Sequence, residues 1–96
     1  MGASREVVVV CGVRTAIGDY GGSLKDFPLV DLAASVVAEA IKRADVDASK
    51  IGQVVMGKVI HTDPRDMYLS RYAALKGGIP IETPAYTLNR LCGSGL

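Results

Sequence analysis

An amphipathic helical stripe set between two continuous runs of β-branched residues narrows the possible folds more than any other feature of this chain. The first run, "EVVVVCGV" at 6–13, does not alternate apolar with polar. A strand wetted on one face would alternate, so the run predicts a strand covered on both faces of a parallel or mixed sheet. "LVDLAASVVAEAIKRA" at 29–44 places Leu29, Leu32, Ala33, Val36, Val37, Ala40, Ile41 and Ala44 on one side. Asp31, Glu39, Lys42 and Arg43 fall on the other, as in a helix of about four turns packed on a core. Glu39 and Arg43 also stand at the i,i+4 spacing that supports a helix.

A linker, "DVDASKIG", leads to a second buried-strand run, "QVVMGKVI" at 53–60. After the polar turn "HTDPRD", "MYLSRYAALKGG" reads as a short helix closed by Gly77 and Gly78. "IPIETP" is irregular because prolines restrict their neighbours, and "AYTLN" at 85–89 is a third strand. Strand, helix, strand, helix, strand calls for parallel crossovers and an α/β layer structure. The third strand of such a series is followed by a third helix, of which "CGSGL" would be the first turn. The expected architecture is therefore the incomplete first domain, residues 1–96, of a longer chain.

Eleven basic residues face ten acidic ones, and Lys42-Arg43 is the one adjacent basic pair. That scatter is not the footprint of a nucleic-acid or anionic-lipid partner, which leaves a small molecule as the expected ligand. No apolar run reaches transmembrane length. "MGASREVVVV" lacks the basic region and apolar stretch of a secretory signal, and Glu6 stands where myristoylation requires Ser or Thr. Cys11 and Cys92 make no disulfide framework, so a cytoplasmic protein with reduced thiols is expected. No set of Cys, His, Asp and Glu has structural-zinc spacing, so no metal is expected.

Cys92, at a strand-to-helix turn, has the setting of a nucleophile. Unpaired N–H groups at a helix N-terminus favour the thiolate, which is the reactive form, and can donate to an oxyanion formed on an attacked carbonyl. Gly93 and Gly95 leave room for a substrate to reach the backbone. Many cysteines are simply small buried hydrophobes, and on these features alone both readings stand. Cys11, inside a valine-rich strand, reads as inert core filler. His61 follows the second strand, and nothing in the sequence ties it to Cys92. "GDYGGS" fits neither the dinucleotide nor the P-loop spacing and reads as a tight turn. "TDPRDMY" reads as an exposed turn, with an interface loop as the alternative.

Two separated motifs carry a resemblance. "VVVVCGVRTAIGDYGGSLKD" resembles the opening strand and Arg-Thr-x-x-Gly-x-x-Gly-Gly loop of the thiolase family, and "TLNRLCGSGL" resembles the segment around its acyl-accepting cysteine. "TDPRDMYLSR" is close to a segment of some 3-ketothiolases. The match runs from Arg5 to Leu96, with the intervening elements in order. It implies a layered α/β/α fold with a mixed, mostly parallel sheet, the nucleophile lying at the N-terminus of a buried helix. It also implies that Cys92 takes the acyl group from an acyl-CoA, with its own backbone N–H as a possible oxyanion donor. Claisen condensation of two acetyl-CoA, or CoA thiolysis of a 3-ketoacyl-CoA, would follow.

Coenzyme A or acyl-CoA would be substrate, with no covalently bound cofactor, and the complete protein a homodimer or homotetramer. The family's Gly-His-Pro, Cys-x-Gly-Gly-Gly and Asn-Glu-Ala-Phe segments do not occur in these residues, and His61 does not match the first. Turnover would then need the remainder of the polypeptide. One position departs from the pattern: Asp45 stands where many relatives have Gly after the first helix, a small stability cost. A ketoacyl-synthase-like condensing enzyme and a non-catalytic assembly module are the alternatives.

Overall fold

The computed structural model describes residues 4–96; the N-terminal reading at Met1–Ala3 lies outside them. Two helices and two strands alternate along the chain: α1 at Leu29–Ala44, β1 at Val54–Gly57, α2 at Leu69–Lys76 and β2 at Ala85–Leu88. Single-turn 3-10 segments at Ala48–Lys50 and Pro64–Tyr68 precede β1 and α2. The strands pair in parallel, Val54 with Ala85 through Gly57 with Leu88, and α2 makes the crossover between them.

The α1 boundaries are those the apolar period predicts. Val30, Ala34 and Val37 are buried along its inner stripe, and Arg43 Nε donates to Glu39 Oε1 at 2.7 Å on the outer one. Asp45 ends the helix in the left-handed conformation, φ 54° and ψ 44°, with its N–H on the Lys42 carbonyl. The conformation that favours glycine is thus present, with an aspartate in it.

The core gathers where α1 and α2 cross above the sheet. Val37, Ala73, Ala74 and Ile79 are buried there, and Ala33, Ile41, Ile51, Val54, Met56 and Ala85 pack against them. Small residues allow the close approach. A Cβ at Gly77 would stand 2.6 Å from Val37 Cγ1, so α2 ends in a residue with no side chain where α1 passes. Ser70 ties α2 to both strands: its hydroxyl donates to the Val54 carbonyl and its N–H to Thr87 Oγ1, each at 3.0 Å.

Three expectations are corrected. The "EVVVVCGV" run forms no strand, and its valines are exposed, Val7 at 90% and Val9 at 92%. A strand exists only by pairing, and among the described residues no backbone hydrogen bond joins this run to β1 or β2. Among the described residues the sheet has two strands, paired in parallel, as the parallel part of the expected layered fold. Its strands are not covered on both faces: β1 alternates half-buried with exposed residues, the covered face being the one under the helices. Finally, "CGSGL" begins no helix. Residues 90–96 make overlapping i→i+3 turns, with Gly93 N–H on Arg90 O, Ser94 on Leu91 and Leu96 on Gly93.

Candidate functional site

β2 ends at Leu88, and the next residues build the turn that carries Cys92. Asn89 Oδ1 accepts from the Leu91 N–H at 2.9 Å, while Asn89 Nδ2 donates to the Val59 carbonyl at 3.3 Å. One side chain therefore fixes the turn to the segment leaving β1. Ser94 closes the loop from the other side: its hydroxyl accepts from the Arg90 N–H at 2.9 Å and donates to the Leu91 carbonyl at 2.7 Å. Between these clamps Leu91 adopts φ +52°, a left-handed conformation that a residue with a Cβ enters only under constraint.

Strain at the residue before Cys92 turns the chain sharply out of the strand direction. Cys92 is exposed and free, and its backbone N–H donates no hydrogen bond among the described residues. A protruding thiol beside an unengaged N–H can present a nucleophile and a donor to one carbonyl group. Side-chain clamps from Asn89 and Ser94, rather than a helix N-terminus, hold the turn at Cys92.

The other candidates separate from it. Cys11 is half-buried against α1, its Sγ 3.4 Å from the Ala40 carbonyl, so it fills space on the helix flank rather than in an enclosed core. His61 is exposed, and no hydrogen bond ties it to Cys92. The "GDYGGS" region forms consecutive turns, with the Gly22 N–H on Asp19 O and the Lys25 N–H on Gly22 O. Among the described residues no group of three or more His, Cys, Asp or Glu could hold a metal ion, and no helix is long and apolar enough to cross a membrane.

The exposed-turn reading of "TDPRDMY" needs correction at one residue. Met67 and Tyr68 are exposed, but Asp66 is fully buried. Its Oδ2 accepts from Thr62 N–H at 2.9 Å, Thr62 Oγ1 at 3.3 Å and Asp63 N–H at 3.2 Å, with Lys58 Nζ at 3.7 Å. The Thr62 N–H above all, then the Lys58 charge, hold its carboxyl below the usual aspartate range against the upward push of burial. Its Oδ1 has no donor among the described residues. The carboxylate locks the chain between β1 and α2 and so fixes the crossover that delivers β2. Arg65 grips Asp63 on the outer face, which lowers the Asp63 carboxyl to about 2.

Asn89 and Ser94, which hold the turn, were not singled out by spacing. Their signal was present in kind: Asn and Ser are the residues whose short polar side chains bond nearby backbone.

Comparison with known proteins fits this geometry to a family. The model of the thiolase N-terminal domain matches residues 7–96. Beta-ketothiolase BktB of Cupriavidus necator is 62% identical over 93 residues, 97% of this chain and 24% of the relative. The mitochondrial 3-ketoacyl-CoA thiolase of Homo sapiens is 44% identical over 95 residues, 99% of this chain and again 24% of the relative. The crystal structure of the Bacillus anthracis acetyl-CoA acetyltransferase superposes with a TM-score of 0.82 at 37% identity, covering 91% of this chain and 22% of that one. The human mitochondrial enzyme in complex with CoA superposes at 0.76 with 45% identity, covering 81% and 20%. The chain thus spans about a quarter of the length of the curated relatives it matches. On this agreement of motif, fold and extent of match, the chain belongs to the thiolase family, as an N-terminal fragment of it.

Proposed function

We propose that this chain supplies the acyl-accepting half of a thiolase site, with Cys92 as the nucleophile. The sulfur attacks the thioester carbonyl of an acyl-CoA, coenzyme A leaves as its thiolate, and the acyl group stays on Cys92 as a new thioester. The Cys92 N–H donates to the oxygen that becomes negative during attack. In the complete polypeptide the acyl group then passes to the Cα of a second acetyl-CoA in a Claisen condensation. In the degradative direction, CoA takes it after cleavage of a 3-ketoacyl-CoA. Coenzyme A is substrate, no cofactor is held covalently, and the complete enzyme works as a cytoplasmic homodimer or homotetramer.

The observation that carries this reading is the placement of Cys92: an exposed thiol one residue past a left-handed leucine, on a turn clamped by Asn89 and Ser94. The names of the matched relatives and a neighbour solved with CoA support the substrate class.

Among the described residues no base is hydrogen-bonded to the Cys92 thiol. Proton transfer by a positioned group contributes about 10² to 10⁴ in rate, so the isolated chain should show no turnover. The test is thiolysis of acetoacetyl-CoA by the complete polypeptide and by its Cys92→Ala variant. Ping-pong kinetics and a loss of about a thousandfold or more in the variant are expected. A variant that keeps wild-type kcat would remove Cys92 from the chemistry.

A further inference from the structure

Gly57 is the last residue of β1, where it pairs with Leu88, the last residue of β2. A Cβ built there would stand 2.7 Å from the Ser94 carbonyl oxygen, 2.8 Å from Ser94 Cβ and 3.0 Å from Ser94 C. Two of those three are backbone atoms, so no rotamer change relieves the overlap. The shortest contact falls roughly 0.7 Å inside ordinary van der Waals separation, and the turn itself would have to move. The strand cannot retreat freely, because the Lys58 N–H is bonded to the Leu88 carbonyl at 3.0 Å just beyond the pair.

What moves with Ser94 matters more than the contact. Its hydroxyl holds Arg90 N–H and Leu91 O, the two residues that lead into Cys92, and Leu91 has its left-handed φ within that ring of bonds. Lifting Ser94 off β1 therefore pulls on the Leu91 conformation and swings the thiol. We infer that Gly57 and Ser94 form a seat, the bare end of β1 and the residue resting on it, which sets where Cys92 stands. They act as positioning residues, and the inference rests on the acyl-transfer reading of Cys92 given above.

The seat predicts a specific split. A nucleophile displaced by a fraction of an ångström still meets a bound substrate but attacks it slowly, with losses of up to about 100-fold for a 1 Å error. In the complete polypeptide, Gly57→Ala and Ser94→Ala should each lower kcat by about 10- to 100-fold and leave KM within about twofold. The rate of Cys92 carbamidomethylation by iodoacetamide, followed by peptide mapping, should change by about fivefold or more in both. Gly52→Ala is the control: a Cβ there meets nothing within 4 Å, and both readouts should stay at wild type.

Wild-type kcat and alkylation rate in a folded Gly57→Ala protein would overturn the seat. If that variant does not fold, Ser94→Ala decides, and wild-type rates in it overturn the inference equally. The two readings fail separately: wild-type enzyme without acyl transfer sinks the role of Cys92, whereas alkylation rates that do not separate Gly57→Ala and Ser94→Ala from Gly52→Ala sink the seat.

Discussion

At the scale of the residue, short polar side chains do most of the positioning. Asn89 satisfies an amide and a carbonyl from different segments, and replacing it by Ala removes both bonds. Loss of partially exposed hydrogen bonds of this kind costs about 1 kcal/mol. Asn89→Ala should lower the urea midpoint accordingly, and an unchanged midpoint would mean the clamp is idle. Asp66 gives a pH-dependent prediction. Its folded carboxyl lies below the ordinary value of 3.8, so its contribution is complete above that pH. The contribution is lost as the pH falls from the ordinary value through the lowered one. In Asp66→Asn, the gap between the urea midpoints at pH 7 and pH 3 should shrink. An equal gap in both proteins would place the acid sensitivity elsewhere.

At the scale of the element, legibility follows how local the cause is. The stripe from Leu29 to Ala44 fixed α1 to the residue because helical bonds are internal to the segment. The valines at 7–10 carry an equally strong β signal and form no strand, because a strand requires a partner and hydrophobicity names none. The turn at Cys92 was legible from its setting between a strand and two glycines. The support beneath it was not, since the contact of Gly57 with Ser94 joins residues far apart in sequence. Asp66 was hidden for a related reason: an aspartate in a polar turn reads as exposed until the donors that surround it are seen. The end of α1 offers a direct check. Asp45→Gly relieves a left-handed residue bearing a Cβ at some cost in unfolded-state entropy, a net gain of about 0.5 kcal/mol. Thermal unfolding should show a rise in midpoint, and a fall would mean that the aspartate side chain contributes more than its backbone costs.

At the scale of the whole molecule, the helices cover one face of a two-stranded sheet and leave the other open. Val55 and Tyr86 are 41% and 51% exposed on the strands, and Val7 to Val10 add a further apolar run. Open strand edges and contiguous apolar surface favour self-association. Sedimentation of the isolated chain should reveal association at micromolar concentration, reduced by Val7→Lys with Val9→Lys. A monomer throughout that range would show that these surfaces are inert.

Acyl transfer to one named sulfur is the claim on which the rest depends, and the most direct measurement is an intact-mass spectrum of the complete polypeptide before and after acetyl-CoA, with the modified peptide mapped. The account expects one acetyl group, carried on Cys92 and absent from Cys92→Ala. An enzyme that turns over acetyl-CoA yet never carries acetyl on Cys92, or carries it on another residue, would contradict it.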